Sequence, residues 1–128
     1  MDGINLHKQR GKDFTALNIT DIQFNDTLDK FDGKKLTVDT IRELVERVKP
    51  DLITVSGDMV WGMFVKDSLR YFCMLMEEFR LPWAHVMGNH DAEGRMSKKE
   101  IATCLREWCE YCLFEEGPED VAGIGNYC

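Results

Sequence analysis

Trp83-Ala84-His85-Val86-Met87-Gly88-Asn89-His90-Asp91 is the stretch that decides the fold. A short apolar run, introduced by Pro82, stops at a glycine followed by an amide, an imidazole and a carboxylate. That pattern describes a buried strand ending in a polar turn. Two earlier segments repeat it. Phe14-Thr15-Ala16-Leu17-Asn18-Ile19 ends at Thr20-Asp21-Ile22-Gln23, and Leu52-Ile53-Thr54-Val55 ends at Ser56-Gly57-Asp58.

The intervening segments carry helical spacing. Leu36, Val38, Ile41, Leu44, Val45 and Val48 recur at that period up to Pro50, which ends the helix. Val65, Leu69, Phe72, Cys73, Met76 and Phe79 predict a second helix over about 65–79. Ser97-Lys98-Lys99-Glu100 reads as a capping box opening a third, with Ile101, Leu105, Trp108 and Cys112 on its inner face. A βαβαβα order predicts an α/β fold with a parallel sheet and right-handed crossovers. Ligands of such sheets bind outside the carboxyl ends of the strands. Strand direction therefore gathers all three polar clusters on one rim, which linear spacing does not reveal.

Composition narrows the functional classes. The 128 residues fit one domain, read as a polar leader over 1–12 and a folded unit over 13–128. Residues 25–35 form a polar loop, and the tail around Glu116-Gly117-Pro118 and Gly123-Ile124-Gly125-Asn126 is rich in turn formers. A net charge of −7 argues against a nucleic-acid backbone or an anionic membrane as the main partner. It leaves a phosphorylated substrate open, because bound divalent cations invert the local field. The start has no signal-like apolar core, and no run reaches the roughly 18 apolar residues of a membrane span. The five cysteines are accordingly expected as reduced thiols in a cytoplasmic protein. Cys73, Cys104, Cys109 and Cys112 all fall in expected helices, and Cys-x4-Cys-x2-Cys lacks the second knuckle of a zinc site.

The clusters carry chemistry suited to hard metals and phosphate. Divalent Mn, Fe or Zn accepts mixed oxygen and nitrogen ligands, and two such ions can clamp a phosphoryl group. Asp58, on a strand-end turn after Gly57, is the natural bridging carboxylate, and Asn89 offers a neutral oxygen. His90 can ligate, donate a proton to a leaving oxygen, or stabilise charge. Taken singly, each cluster is ordinary turn chemistry or a cap. Three in order, each on a strand end, favour a site at Asp21, Asp58, Asn89 and His90. His85, inside the third strand, is expected to be a hydrogen-bonded core residue, and His7 to be solvated.

These segments resemble the first three motifs of the calcineurin-like metallophosphoesterases, Asp-x-His, Gly-Asp and Gly-Asn-His-Asp/Glu. The stretch Gly88 to Gly94 and the tail Leu113 to Tyr127 resemble the purple-acid-phosphatase-like branch. The similarity runs over residues 14–128. It implies the N-terminal half of a four-layer α/β/β/α sandwich, with Asp21 on one metal, Asp58 bridging, Asn89 on the second metal and His90 assisting the leaving group. Two departures follow. Gln23 stands where the family places a metal-binding histidine, and no histidine follows His90, so the later histidine motifs are absent. The metal set expected is therefore Asp21, Gln23, Asp58 and Asn89, with Mn the expected ion and two ions in a complete parent.

The resemblance implies hydrolysis of a phosphomonoester or phosphodiester by metal-activated hydroxide, weak or absent in so short a chain. A non-catalytic remnant acting by binding or self-association is the alternative, with an apolar sheet face left uncovered where the second sheet would pack. An unrelated doubly wound domain with an acidic Mg²⁺ pocket is a third reading, and if Asp21, Asp58 and Asn89 lie far apart the metallophosphoesterase assignment fails.

Overall fold

The computed structural model describes residues 4–25 and 33–127. Most of the expected 25–35 loop, and Cys128, lie outside the described residues. Three strands and three helices alternate: β1 (Ala16–Ile19), α1 (Gly33–Val48), β2 (Leu52–Val55), α2 (Val65–Glu78), β3 (Trp83–His85) and α3 (Lys98–Trp108). The sheet order is β1-β2-β3, all parallel, with Asn18 beside Thr54 and Thr54 beside Ala84. This is the βαβαβα architecture expected of the N-terminal half of a calcineurin-like fold.

The right-handed rule for the β1–β2 and β2–β3 crossovers puts α1 and α2 on one face, and α3 packs against α2. Burial follows that geometry. Ile19, Ile53, Val55, Trp83 and His85 are buried and alternate with more accessible neighbours. Leu69, Phe72 and Met76 of α2 and Ile101 and Leu105 of α3 close the core over them. Burying side chains of this size stabilises a domain by about 1.5–3 kcal/mol each. From α1 only Val38 and Ile41 are fully buried, and Leu36 on its outer side is 70% exposed. Arg42 ties α1 to Glu78 of α2 through two hydrogen bonds of 2.9 and 2.8 Å.

The opposite sheet face combines apolar and polar side chains. Its middle is polar: Asn18 Oδ1 accepts from the Thr54 hydroxyl at 2.8 Å and the Ser56 hydroxyl at 2.7 Å. Ala16, Leu52, Ala84 and Val86 flank this row. Hydrogen-bonded side chains there lower the cost of contact with water, which a purely apolar face would not.

Helix α3 opens on the expected capping box. The Ser97 hydroxyl accepts from the Glu100 amide, and the Glu100 carboxylate accepts from the Ser97 amide at 2.7 Å. It ends at Trp108, so Cys109 and Cys112 are not helical. The cause is Glu77 of α2, whose carboxylate accepts the amides of Glu110 and Tyr111 and the Trp83 indole. Pulled out of the helix, the chain runs alongside β3: Trp83 donates to Tyr111 O and accepts from Leu113 N. One residue pair further on, the Tyr127 hydroxyl accepts from His85 N at 2.9 Å and donates to His85 O at 2.6 Å. It thereby satisfies a strand edge that would otherwise face the tail unpaired.

Candidate metal centre

Each strand ends by turning sharply, and the turns interlock. Asp21, Gln23 and Asp58 all adopt left-handed backbone, with φ of 55, 49 and 54°. Such conformations cost non-glycine residues on the order of 1 kcal/mol each, and they cluster at functional sites. Here they are held by cross-links between the strand ends. Asp21 N donates to Gly57 O at 3.2 Å, Gln23 N to Asp58 O at 2.9 Å, and Phe24 N to Met59 O at 3.0 Å.

The third turn presses against the second. A Cβ on Gly88 would lie 2.0 Å from Asp58 Oδ1, and one on Gly57 would lie 2.9 Å from Gly88 Cα. Only glycine permits both approaches. The Asp58 carboxylate occupies the space that a Gly88 side chain would fill. There its Oδ1 accepts from His90 N at 2.8 Å, and only 7% of the residue is exposed.

Beneath the turns lies Asp91, wholly buried. Its Oδ2 accepts from Gly88 N at 2.7 Å and Asp58 N at 2.9 Å, and its Oδ1 accepts from Val60 N at 3.1 Å. Burial pushes its carboxyl up from the ordinary carboxylate range, against the opposing pull of those amides. One side chain thus sets the relative position of the β2 and β3 turns.

His90 faces the rim. Its Nδ1 meets Glu93 Oε2 at 2.6 Å, which holds the ring above the ordinary histidine range. The charges of Asp58 and Asp21 push the same way, so all three groups share one field. With Nδ1 engaged by Glu93, Nε2 is the nitrogen left for chemistry. The Trp61 ring stands edge-on to it, 6.0 Å between centroids. Asp21 is exposed, its Oδ2 2.7 Å from the Thr20 hydroxyl that donates to it.

The strand-end turns that carry Asp21, Gln23, Asp58, Asn89 and His90 lie at one end of the sheet, as parallel strand order requires. Asp21, Gln23, Asp58 and Asn89 could each offer an oxygen, and the Asp58 carboxylate sits in a cradle shaped for it. Such an oxygen donor set suits a divalent metal ion. Among the described residues, no group of three or more His, Cys, Asp or Glu side chains is arranged to hold a metal, so the set depends on its two amides.

Sequence reasoning left Asp91 and Glu93 without roles. Asp91 belongs to the Gly-Asn-His-Asp motif, so its position was visible although its task was not. Glu93 had only its separation of three residues from His90 as a signal. His85 departs from expectation: it is buried, but neither ring nitrogen has a hydrogen-bond partner among the described residues, and Asp91 Oδ2 is 3.9 Å away. Burial drives its pKa down to about 3, so the ring is neutral at ordinary pH.

Comparison with known proteins agrees with this geometry. The family model of calcineurin-like phosphoesterases matches residues 14–125. Among curated relatives, a protein of Arabidopsis thaliana named probable inactive purple acid phosphatase 28 is 30% identical over 101 residues, covering 68% of this chain and 25% of that protein. Phosphatase DCR2 of Saccharomyces cerevisiae is 32% identical over 98 residues, covering 68% of this chain and 16% of its own length. Probable inactive purple acid phosphatase 29 of Arabidopsis thaliana is 30% identical over 86 residues, covering 62% and 22%. The chain spans a quarter or less of the length of these relatives. The chain belongs to the calcineurin-like phosphoesterases, and the relatives it resembles include purple-acid-phosphatase-like proteins.

Proposed function

We propose that this chain carries the first half of a metal-dependent phosphoesterase centre, acting on a phosphomonoester or phosphodiester of a small molecule. The observation that carries the reading is the interlock at Asp58. Its carboxylate is seated against Gly88 and fixed by the His90 amide, with the Asp21 and Asn89 turns bonded or joined directly to it. Asp21, Gln23, Asp58 and Asn89 would hold the metal, with Mn²⁺ the favoured ion. A bound divalent ion supplies Lewis acidity toward phosphoryl oxygen and lowers the pKa of a water nucleophile.

Hydrolysis forms a bond from water oxygen to phosphorus and breaks the bond to the ester oxygen, which leaves with a proton. We assign that proton to His90 Nε2, a reading supported by Glu93 on Nδ1, which favours the protonated ring. Asp91 positions the turn amides and touches no substrate. The setting we assign is cytoplasmic.

A second reading, metal and phosphate binding without turnover, is favoured by Gln23, whose amide is a weaker ligand than the family's histidine. Relatives named as probable inactive phosphatases point the same way. Turnover of 4-nitrophenyl phosphate with and without Mn²⁺ separates the two. Slow, Mn²⁺-dependent hydrolysis that disappears in Asp58→Ala supports the enzyme. Mn²⁺ binding with no turnover supports the binding module. Neither binding nor turnover overturns both.

A further inference from the structure

We infer that Trp61, Met63 and Phe64 form a platform for a planar aromatic group of the phosphoester, on the flank where Trp61 stands against His90. This rests on the reading of the rim at Asp58 and Asn89 as the phosphoester site. The loop between β2 and α2 exposes three large apolar side chains in four residues: Trp61 at 46%, Met63 at 58% and Phe64 at 60%. Apolar groups gathered on a surface in this way mark binding sites more often than chance.

The loop is not loosely held. Trp61 N donates to Phe24 O at 3.1 Å, and Arg95 N donates to Met63 O at 3.0 Å. Gly94 lies so close that a Cβ there would meet Gly62 O at 2.3 Å and Met63 O at 2.8 Å. Val60, immediately before the loop, is bonded to the same buried Asp91 that positions Asp58. The loop backbone is thus fixed relative to the metal-ligand turns, which lowers the ordering needed on binding.

Position and chemistry select the occupant. Trp61 contacts His90 edge to face, so a substituent extending from the rim past His90 meets the indole. Phe64 carries the Arg95 guanidinium over its ring at 4.7 Å, which places a fixed cation beside the apolar surface. An indole, a thioether and a ring backed by a cation suit a flat aromatic better than an alkyl chain, through stacking and sulfur–aromatic contact. Ring contacts of this kind add about 0.5–1.5 kcal/mol beyond area burial, or about 2- to 12-fold in affinity.

The test is titration of the uniformly ¹⁵N-labelled full chain, in Mg²⁺, with phenylphosphonate and with methylphosphonate. The indole N–H signals report directly, since Trp83 is buried and bonded to Glu77 while Trp61 is open. Trp61→Phe assigns the Trp61 signal. The platform predicts that phenylphosphonate moves that signal and binds about fivefold to tenfold tighter than methylphosphonate. Trp61→Ala and Phe64→Ala should each reduce the preference toward unity. Equal affinities, no binding of phenylphosphonate, or binding that leaves the Trp61 signal in place would overturn it. Asp58→Asn should weaken both ligands alike. If that variant changes neither while the ring preference persists, the metal reading fails and the platform stands.

Discussion

Replacing Asp91 with alanine removes the acceptor for two buried amides, on Asp58 and Val60, and a partly buried one on Gly88, at 2.7–3.1 Å. A buried donor left unsatisfied costs about 1–3 kcal/mol. Water entering the space left by the carboxylate recovers part of this. The net expectation is therefore about 3–5 kcal/mol rather than the upper sum. A chain of 128 residues is expected to have roughly 6–19 kcal/mol of total stability at 0.05–0.15 kcal/mol per residue, so the variant stays folded in water. Urea unfolding followed by circular dichroism measures the change. With m near 2 kcal/mol/M, the midpoint should fall by about 1.5–2.5 M at unchanged m. Asp91→Asn should lose roughly half as much, since its oxygen still accepts while its NH₂ faces an amide donor. Metal affinity should fall in both, because the Asp58 turn loses its anchor. A midpoint shift in Asp91→Ala below about 0.5 M would refute the reasoning.

Other perturbations follow from neighbouring contacts. His85, with a folded pKa of about 3, stays neutral while the unfolded chain takes up its proton. Stability from this site is fully present above pH 6.5 and is lost as pH falls toward 3, at about 1.4 kcal/mol per unit. His85→Leu should flatten that limb by about 2–3 kcal/mol at pH 4.5 relative to the unsubstituted chain, as read by urea unfolding at a series of pH values. The pKa of His90, followed by NMR, should lie above the ordinary histidine value and drop in Glu93→Gln. Because that pKa is raised, the His90–Glu93 pair stabilises below about pH 6.5, and the contribution disappears as pH rises through the folded value. Tyr127→Phe deletes the hydroxyl that serves both His85 N and His85 O. The loss should be about 1–3 kcal/mol, with faster hydrogen exchange at the His85 amide.

The sheet and the rim were legible in the sequence because both depend on short-range signals. Apolar runs closed by Asp21, Asp58 and Gly88 specify strands, and parallel order then brings their ends together without further information. Helix starts were equally readable where a side chain acts locally, as Ser97 and Glu100 do. What stayed hidden depends on contacts distant in sequence. Helix α3 stops at Trp108 because Glu77, more than 30 residues earlier, captures Glu110 and Tyr111. No periodicity in Ile101 to Cys112 announces that. The polar middle of the open sheet face arises from Asn18 meeting Thr54 and Ser56, which requires the register. Asp91 reads as one more turn residue until its three amide partners are seen together. His85 reads as a satisfied sheet residue until its ring is found among apolar neighbours.

Isothermal titration of the full chain with Mn²⁺ tests the metal centre most directly. Binding should be measurable in the unsubstituted chain, at least tenfold weaker in Asp58→Asn and Asp21→Asn, and unchanged in Glu110→Gln on the far side of the molecule. Equal Mn²⁺ affinity in the unsubstituted chain and Asp58→Asn would contradict the assignment of these three strand ends as one metal centre.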